Sequence, residues 1–247
     1  MGQYIYAVAD TGDERTLELG GIAEAGGNVS IICHRDIGAV VSPSPVTDYA
    51  VNRKNTMAHQ AVMETVMATA PILPVKFGTV GEGADLIREK LLADRYDELK
   101  SHLAYVADKV ELGLKVLWTD PAQAYREIVA EDRQIQKLRD RLNAQKGGAR
   151  KDQIRLGEMV AGALARKREA LDTRIGSFFD GLWVEHKKNP PMGDRMITHS
   201  VFLVARDKEG DFDEAVNRLG ESTDGQMKIK YVGPVPPNHF IELVVRW

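Results

Sequence analysis

The sequence predicts an α+β protein of two domains. Three observations carry that reading. Short runs of β-forming residues alternate with amphipathic helical stretches. A strand of period two, KVELGLKVLW, stands near the middle of the chain. A long helical stretch, at about 121–185, interrupts the second set of strands. With 247 residues, the chain suits two domains of moderate size. The first is expected over 1–108, as a ferredoxin-like βαββαβ unit with two extra short helices. The second is expected over 109–247, as a modified ferredoxin-like sheet with the long helical insertion.

YIYAVA (residues 4–9) is rich in β-formers and reads as a strand. Residues 15–25 are expected to form a short helix before Gly26-Gly27. VSIICH (29–34) and IGAVVS (37–42) read as strands joined by a tight hairpin at Arg35-Asp36. Pro43 and Pro45 stop the second strand. Residues 52–69 read as a helix, with Met57, Ala61, Val62, Thr65, Val66 and Thr69 near helical spacing. Pro71 ends it, and ILPVKF returns as a strand. The expected product is a split βαβ arrangement with two helices on one face of an antiparallel sheet. Residues 84–93 and 96–107 add two short helices.

In KVELGLKVLW, Val110, Leu112, Leu114 and Val116 alternate with Glu111, Gly113, Lys115 and Leu117, the pattern of a half-buried strand. Asp120 then caps a helix with Pro121 at its first position. That helix is expected to reach about Lys146 and to break at Gly147-Gly148. A second helix is expected from about Arg150 to about Trp183, completing a helical hairpin. MITHSVFLVAR (196–206) reads as a strand, and a helix capped by Asp211 follows, with Glu214 three residues on. The last 22 residues read as two strands around a loop stiffened by Pro234, Pro236 and Pro237 after Gly233.

Composition narrows the function. A single cysteine, Cys33, excludes an internal disulfide and suits a reducing compartment. The first residues lack the pattern of a secretory signal, and no run of about 18 apolar residues exists, so neither secretion nor a membrane partner is expected. The net charge of -3 hides an asymmetry. Residues 133–174 hold twelve Lys or Arg against five Asp or Glu. Arg166, Lys167 and Arg168 cluster there. Such a stretch is either a solvated helix face or a docking arm for an acidic partner.

No motif for chemistry emerges. The histidines are scattered, with no CxxC, HxxxH or HExxH spacing, so no metal is expected. No GxSxG elbow exists, and His59 is the one histidine worth testing, against a plain polar-face role. Gly78, Gly81 and Gly83 fit neither a P-loop nor a dinucleotide fingerprint, and Glu82 and Asp85 would repel a phosphate at the following helix start. No cofactor is expected. The basic helices lack interleaved aromatics, which argues against nucleic acid. Phe77 and Gly78 read as structural, one anchoring a strand end and one permitting a turn.

Several stretches together resemble one family. They are YIYAVA, VVSPSPVTDY followed by NTMAHQAVMETV, APILPVKFGTV, VELGLKVLW and VGPVPPNHF. In this order they resemble the GvpF/GvpL family of gas vesicle proteins, over nearly the whole chain. The most specific pieces are LPVKFGTV, with Pro74, Phe77 and Gly78, and GPVPP with the phenylalanine after it. The length suits the shorter, F-like members. The resemblance implies a non-enzymatic accessory or minor structural protein of the gas-filled, protein-walled compartment used for buoyancy. It implies an intracellular, cytoplasmic location at the vesicle, with the small hydrophobic shell protein and other accessory proteins as partners. The alternative from the residues alone is a ferredoxin-like small-molecule-binding regulator or enzyme, since fold does not fix function.

Overall fold

The computed structural model describes residues 2–22, 27–45, 48–144 and 150–245. The expected break at Gly147-Gly148 lies outside the described residues. The chain forms two compact units, Met1–Glu111 with Gly233–Trp247, and Leu112–Val232. Both combine helices with antiparallel strand pairing, so the α+β class holds.

The first unit opens with β1 (Gly2–Ala9), β2 (Thr16–Gly20), β3 (Asn28–His34) and β4 (Ile37–Ser44). Helix α1 (Arg53–Met67) follows, then β5 (Ile72–Pro74) and β6 (Val80–Gly81). The sheet order is β2-β3-β4-β1-β5, with β6 also pairing β1. The β3–β4 hairpin pairs His34 with Ile37, and Arg35 takes a φ of +54° in the turn. Residues 16–20 correct the expected helix. TLELG alternates, with Leu17 and Leu19 packed inward and Thr16 and Glu18 exposed, so it pairs with β3 as an edge strand. Numbered in chain order, β1, β3, β4 and β5 still lie in the order 2-3-1-4 of a split βαβ sheet.

Helices cover both faces of this sheet, not one. On one face α1 packs through His59, Val62, Met63 and Val66. That stripe differs from the expected one, because Met57, Ala61 and Thr65 are exposed. Asn52 caps α1 by accepting from the Asn55 N–H at 2.9 Å. On the other face lie α2 (Ala84–Leu86), a π-helical segment over Ile87–Ala93, and α3 (Tyr96–Val106). Ile87, Leu91, Leu99 and Leu103 meet Ile5, Val8 and Leu73 there. A bulge in β1 between Ile5 and Ala7 puts Tyr6 and Ala7 on the same side as Tyr4.

The second unit holds most of β7 (Lys109–Trp118), then α4 (Pro121–Glu131), α5 (Arg133–Ala144) and α6 (Arg150–Gly176). It continues with β8 (Glu185–Lys188), β9 (Met196–Ala205), α7 (Glu209–Glu221) and β10 (Met227–Val235). The sheet order is β10-β7-β9-β8, again 4-1-3-2 by chain order. The expected single helix from Pro121 is two. Asp132 leaves helical geometry, and its Oδ1 accepts from the N–H of Gln134 at 2.9 Å and of Ile135 at 3.2 Å, restarting the chain as α5. Helix α6 stops at Gly176, short of Trp183, and a 3-10 turn seats Phe179 against Phe212 and Phe202 at ring distances of 4.6 and 5.5 Å. EHKK, not foreseen as a strand, is a short charged edge, which discourages edge-to-edge pairing. Helix α7 begins two residues before Asp211, which sits in its first turn.

The chain's end corrects two expectations. GPV of the proline loop belongs to edge strand β10, where a missing N–H is tolerated. Residues 233–245 lie with the first unit rather than the second. No final strand follows among the described residues. Instead Leu243 makes one parallel bridge to Val75. Its N–H donates to the Pro74 carbonyl at 2.9 Å, its carbonyl accepts from the Lys76 N–H at 3.1 Å, and its side chain is buried in the first unit's core. Leu243→Ala should therefore destabilise the first unit by about 2–4 kcal/mol. Urea unfolding checks this, and an unchanged midpoint would mean the tail is only laid on the surface.

Candidate functional site

The first unit concentrates polar groups on the α1 side of β1. The Gly78 N–H donates to the Tyr4 hydroxyl at 3.0 Å. That oxygen lies 3.0 Å from His59 Nδ1. A Tyr4 hydroxyl that accepts from Gly78 and donates its hydrogen bond to Nδ1 fits a neutral His59 ring. Burial holds the His59 pKa at about 4 and pushes the Tyr4 hydroxyl well up. Beside them the Tyr6 hydroxyl pairs with Ser42 Oγ at 2.8 Å and accepts from the Ile22 N–H at 2.7 Å. Tyr49 pairs with Ser44 at 2.8 Å. Phe77 sets its edge to His59 and Tyr4, at ring distances of 5.5 and 6.3 Å.

This cluster explains LPVKFGTV. Pro74 is buried at the end of β5, and Phe77 is half-buried against the tyrosines. Gly78 has a φ of +85°. A Cβ there would meet nothing within 4 Å, so the backbone conformation and not crowding calls for glycine. The reading of His59 as a polar-face residue is corrected: it is 6% exposed and faces the tyrosines. A count of apolar spacing passed over it because its ring is polar. The signal lay in its helical phase with Val62, Met63 and Val66.

The late motif is anchored separately. Gly233 has a φ of +141° and lies with Pro234 in the exposed end of β10. Pro236 and Pro237 are buried, and the Pro237 carbonyl accepts from the N–H groups of Phe240 and Ile241. His239 stands next. Its N–H donates to Glu111 Oε2 at 2.8 Å, and its Nδ1 lies 2.6 Å from Oε1. The Glu111 side chain is 4% exposed, although alternation along β7 placed it on the polar side. Leu243 then joins this segment to Pro74 and Lys76, so the two motifs meet in one unit. A lone glutamate among apolar β7 residues was the one sequence clue to that clamp.

In the second unit the Arg166-Lys167-Arg168 cluster divides. Lys167 Nζ lies 2.7 Å from Glu127 and 3.6 Å from Glu131. Arg168 stands 5.6 Å over the Trp118 ring and donates to the Asp194 carbonyl at 3.3 Å. Only Arg166 of the three is exposed. A hollow of about 420 Å³ is lined by Trp118, Asp120, Gln123, Glu127 and Lys167 among others. Of its charges, Asp120 is engaged by Arg126 at 3.0 Å and Glu127 by Lys167. Among the described residues, no group of three His, Cys, Asp or Glu is placed to hold a metal ion. Cys33 is buried in the core, where desolvation pushes its thiol pKa up.

The buried relay has a pH signature. His59 titrates near 6.5 when unfolded and at about 4 in the fold, so the unfolded chain binds more protons between those values. Its contribution is complete above pH 6.5 and is lost as pH falls toward 4. The integrated loss is roughly 3 kcal/mol. Urea unfolding at several pH values should show this fall, and His59→Gln should flatten it. Identical pH profiles for the two proteins would rule out the neutral buried imidazole.

The sequence profile of the family described as "Gas vesicle synthesis protein GvpL/GvpF" matches residues 2–242. A Streptomyces gas vesicle protein F is 29% identical over 244 residues, spanning 98% of this chain and 100% of that protein. The Dolichospermum flosaquae gas vesicle protein F is 23% identical, over 97% of each chain. The crystal structure of the gas vesicle protein GvpF from an Anabaena species superposes with a TM-score of 0.85, at 21% identity and 99% coverage of both chains. The GvpF structure from Microcystis aeruginosa gives 0.83, at 21% identity, over 98% of this chain and 99% of that one. The profile match spans both sheets and both anchored motifs, and by it this chain belongs to the GvpL/GvpF family of gas vesicle proteins.

Proposed function

We propose that the protein is an accessory or minor structural protein of gas vesicles, acting through protein–protein contacts in assembly of the gas-filled compartment. The observation that carries this is the family match along almost the full length of the chain. A match of that extent includes both units and so concerns the whole of this chain rather than a shared module. The reading places the protein in the cytoplasm at the vesicle, non-enzymatic, with the hydrophobic shell protein and other vesicle proteins as partners. The pairing of Asp120 with Arg126 and of Glu127 with Lys167 at the Trp118 hollow supports the non-enzymatic side, because those carboxylates are tied to neighbours. Among the described residues, no helix is long and apolar enough to cross a membrane.

An apolar shell protein calls for apolar contact surface. Val51 is 81% exposed and Met57 59% exposed, at the start of α1. A partner surface there would use these two exposed apolar side chains, Val51 just before α1 and Met57 on it. In a vesicle-forming host, deleting the gene should lower vesicle yield, and the tagged protein should co-purify with assembly intermediates or washed vesicles. Normal yield together with no association in either fraction would overturn the proposal. The Val51→Glu/Met57→Glu variant should weaken shell-protein pull-down by about tenfold or more while its melting temperature stays put.

A further inference from the structure

We propose that the seam between α5 and α6 is a docking groove for an acidic amphipathic helix of a partner protein. Two hollows lie along that seam, the first where α4 joins it. One, of about 480 Å³, is lined by Ile128, Glu131, Asp132, Arg133, Ala163, Arg166 and Lys167. The other, of about 370 Å³, is lined by Gln134, Lys137, Leu138, Arg141, Arg155 and Met159. Each has apolar lining, Ile128 with Ala163 and Leu138 with Met159, beside cations; the first also holds Glu131, 3.6 Å from Lys167, and Asp132, whose carboxylate caps α5.

The cations are ordered. Arg133, Lys137 and Arg141 stand at i, i+4 and i+8 on α5, along one helix face. They span about 12 Å of helix axis at the usual rise. Arg155 and Arg166 supply the opposite rim from α6, three turns apart. Arg141 is held by Asp152 at 2.6 Å. Arg133, Lys137, Arg155 and Arg166 are exposed, and among the described residues none faces a carboxylate within ion-pair distance. Four unpaired cations over an apolar floor call for carboxylates at the same helical spacing beside apolar anchors. A helix laid in a groove meets both demands.

Other anionic partners fit less well. Single-stranded nucleic acid needs stacking aromatics, and no aromatic residue lines either hollow. An anionic membrane is read by a convex amphipathic face with apolar residues to insert, whereas here the apolar residues form the floor of a recess. Of the Arg166-Lys167-Arg168 cluster, the groove uses only Arg166 as a free cation. Lys167 and Arg168 serve the unit internally, so reversing them would test folding as much as docking.

The inference deepens the assembly reading and rests on it for its biological setting, but binding is measured without vesicles, so the two can fail separately. The probe is a fluorescein-labelled 18-residue helical peptide with Glu at i, i+4 and i+8 beside a Leu stripe. Anisotropy titration with the full-length protein should show saturable binding that weakens with salt. A peptide of the same composition with its Glu residues moved off the stripe should bind at least about tenfold more weakly. Arg133→Glu/Lys137→Glu/Arg155→Glu should lose at least about tenfold, and the corresponding Gln variant an intermediate amount, with unchanged circular dichroism melting. Equal binding of the two peptides overturns the proposal, as does undiminished binding by the folded Glu variant. Tighter binding to phosphatidylserine vesicles or to duplex DNA than to the striped peptide overturns the choice of a protein partner.

Discussion

The first unit depends on what β1 must present to each side. This strand is central, paired with β4 on one side and with β5 and β6 on the other. Its bulge turns Tyr4, Tyr6 and Ala7 toward α1 and leaves Ile5 and Val8 for the opposite core. Two buried hydroxyls on one strand demand partners, since an unsatisfied buried polar group costs more than a hydrogen bond returns. Those partners come from far along the chain. Gly78, His59, Ser42 and Ile22 all answer to Tyr4 or Tyr6. A polar requirement within a mostly apolar face thus fixes the rotation of α1 and the path of the turn after β5.

The two units share one strand order and differ in the first crossover. Between β1 and β3 the first unit places an extra edge strand, whereas between β7 and β8 the second places three helices. An edge strand needs only a partner for one side and an alternating sequence, which TLELG supplies. Three helices need a second layer of apolar contacts. Ile135, Leu138 and Leu142 on α5 and Leu164 on α6 provide it. The crossover is the part of the shared design that tolerates elaboration, because the sheet beneath it is completed by the other connections.

Where the residues spoke through local chemistry, the structure agreed. The β3–β4 hairpin, the Asp120-Pro121 helix start and the period of β7 follow from turn, cap and alternation. In residues 15–25 a five-residue alternation sits inside a longer stretch open to a helical reading, and pairing with β3 decides for the strand. Asp132 falls inside the stretch that reads as one helix from Pro121, yet its carboxylate caps the start of a second. The anchors of the candidate site were the least legible. Glu111 and His239 are 128 residues apart, and His59 and Tyr4 are 55 apart. No periodicity links such positions, and only the folded sheet brings them together. The tail was misassigned for the same reason, since Leu243 is placed by backbone bonds to Pro74 and Lys76 that leave no local pattern.

The distribution of charge bears on how such a protein works. In the first unit several charged groups close on each other: Lys100 bridges Asp10 and Asp36, and Arg95 grips Glu98. The Tyr96 hydroxyl also donates to Asp36, and these contacts hold its carboxyl pKa at about 2. Charge satisfied in this way shapes the surface but offers little to a partner. Along α5 and α6 the balance is reversed, with twelve basic residues against five acidic ones over 133–174. Excess of one sign costs self-repulsion in the isolated chain, and screening by salt offsets only part of it. A complementary surface removes that repulsion on contact. Exposed charge of this kind governs encounter and partner choice more than tightness, while an apolar floor supplies the area on which affinity is built. On the proposed docking, having both in one seam would make association selective at first contact and firm once the apolar groups are covered.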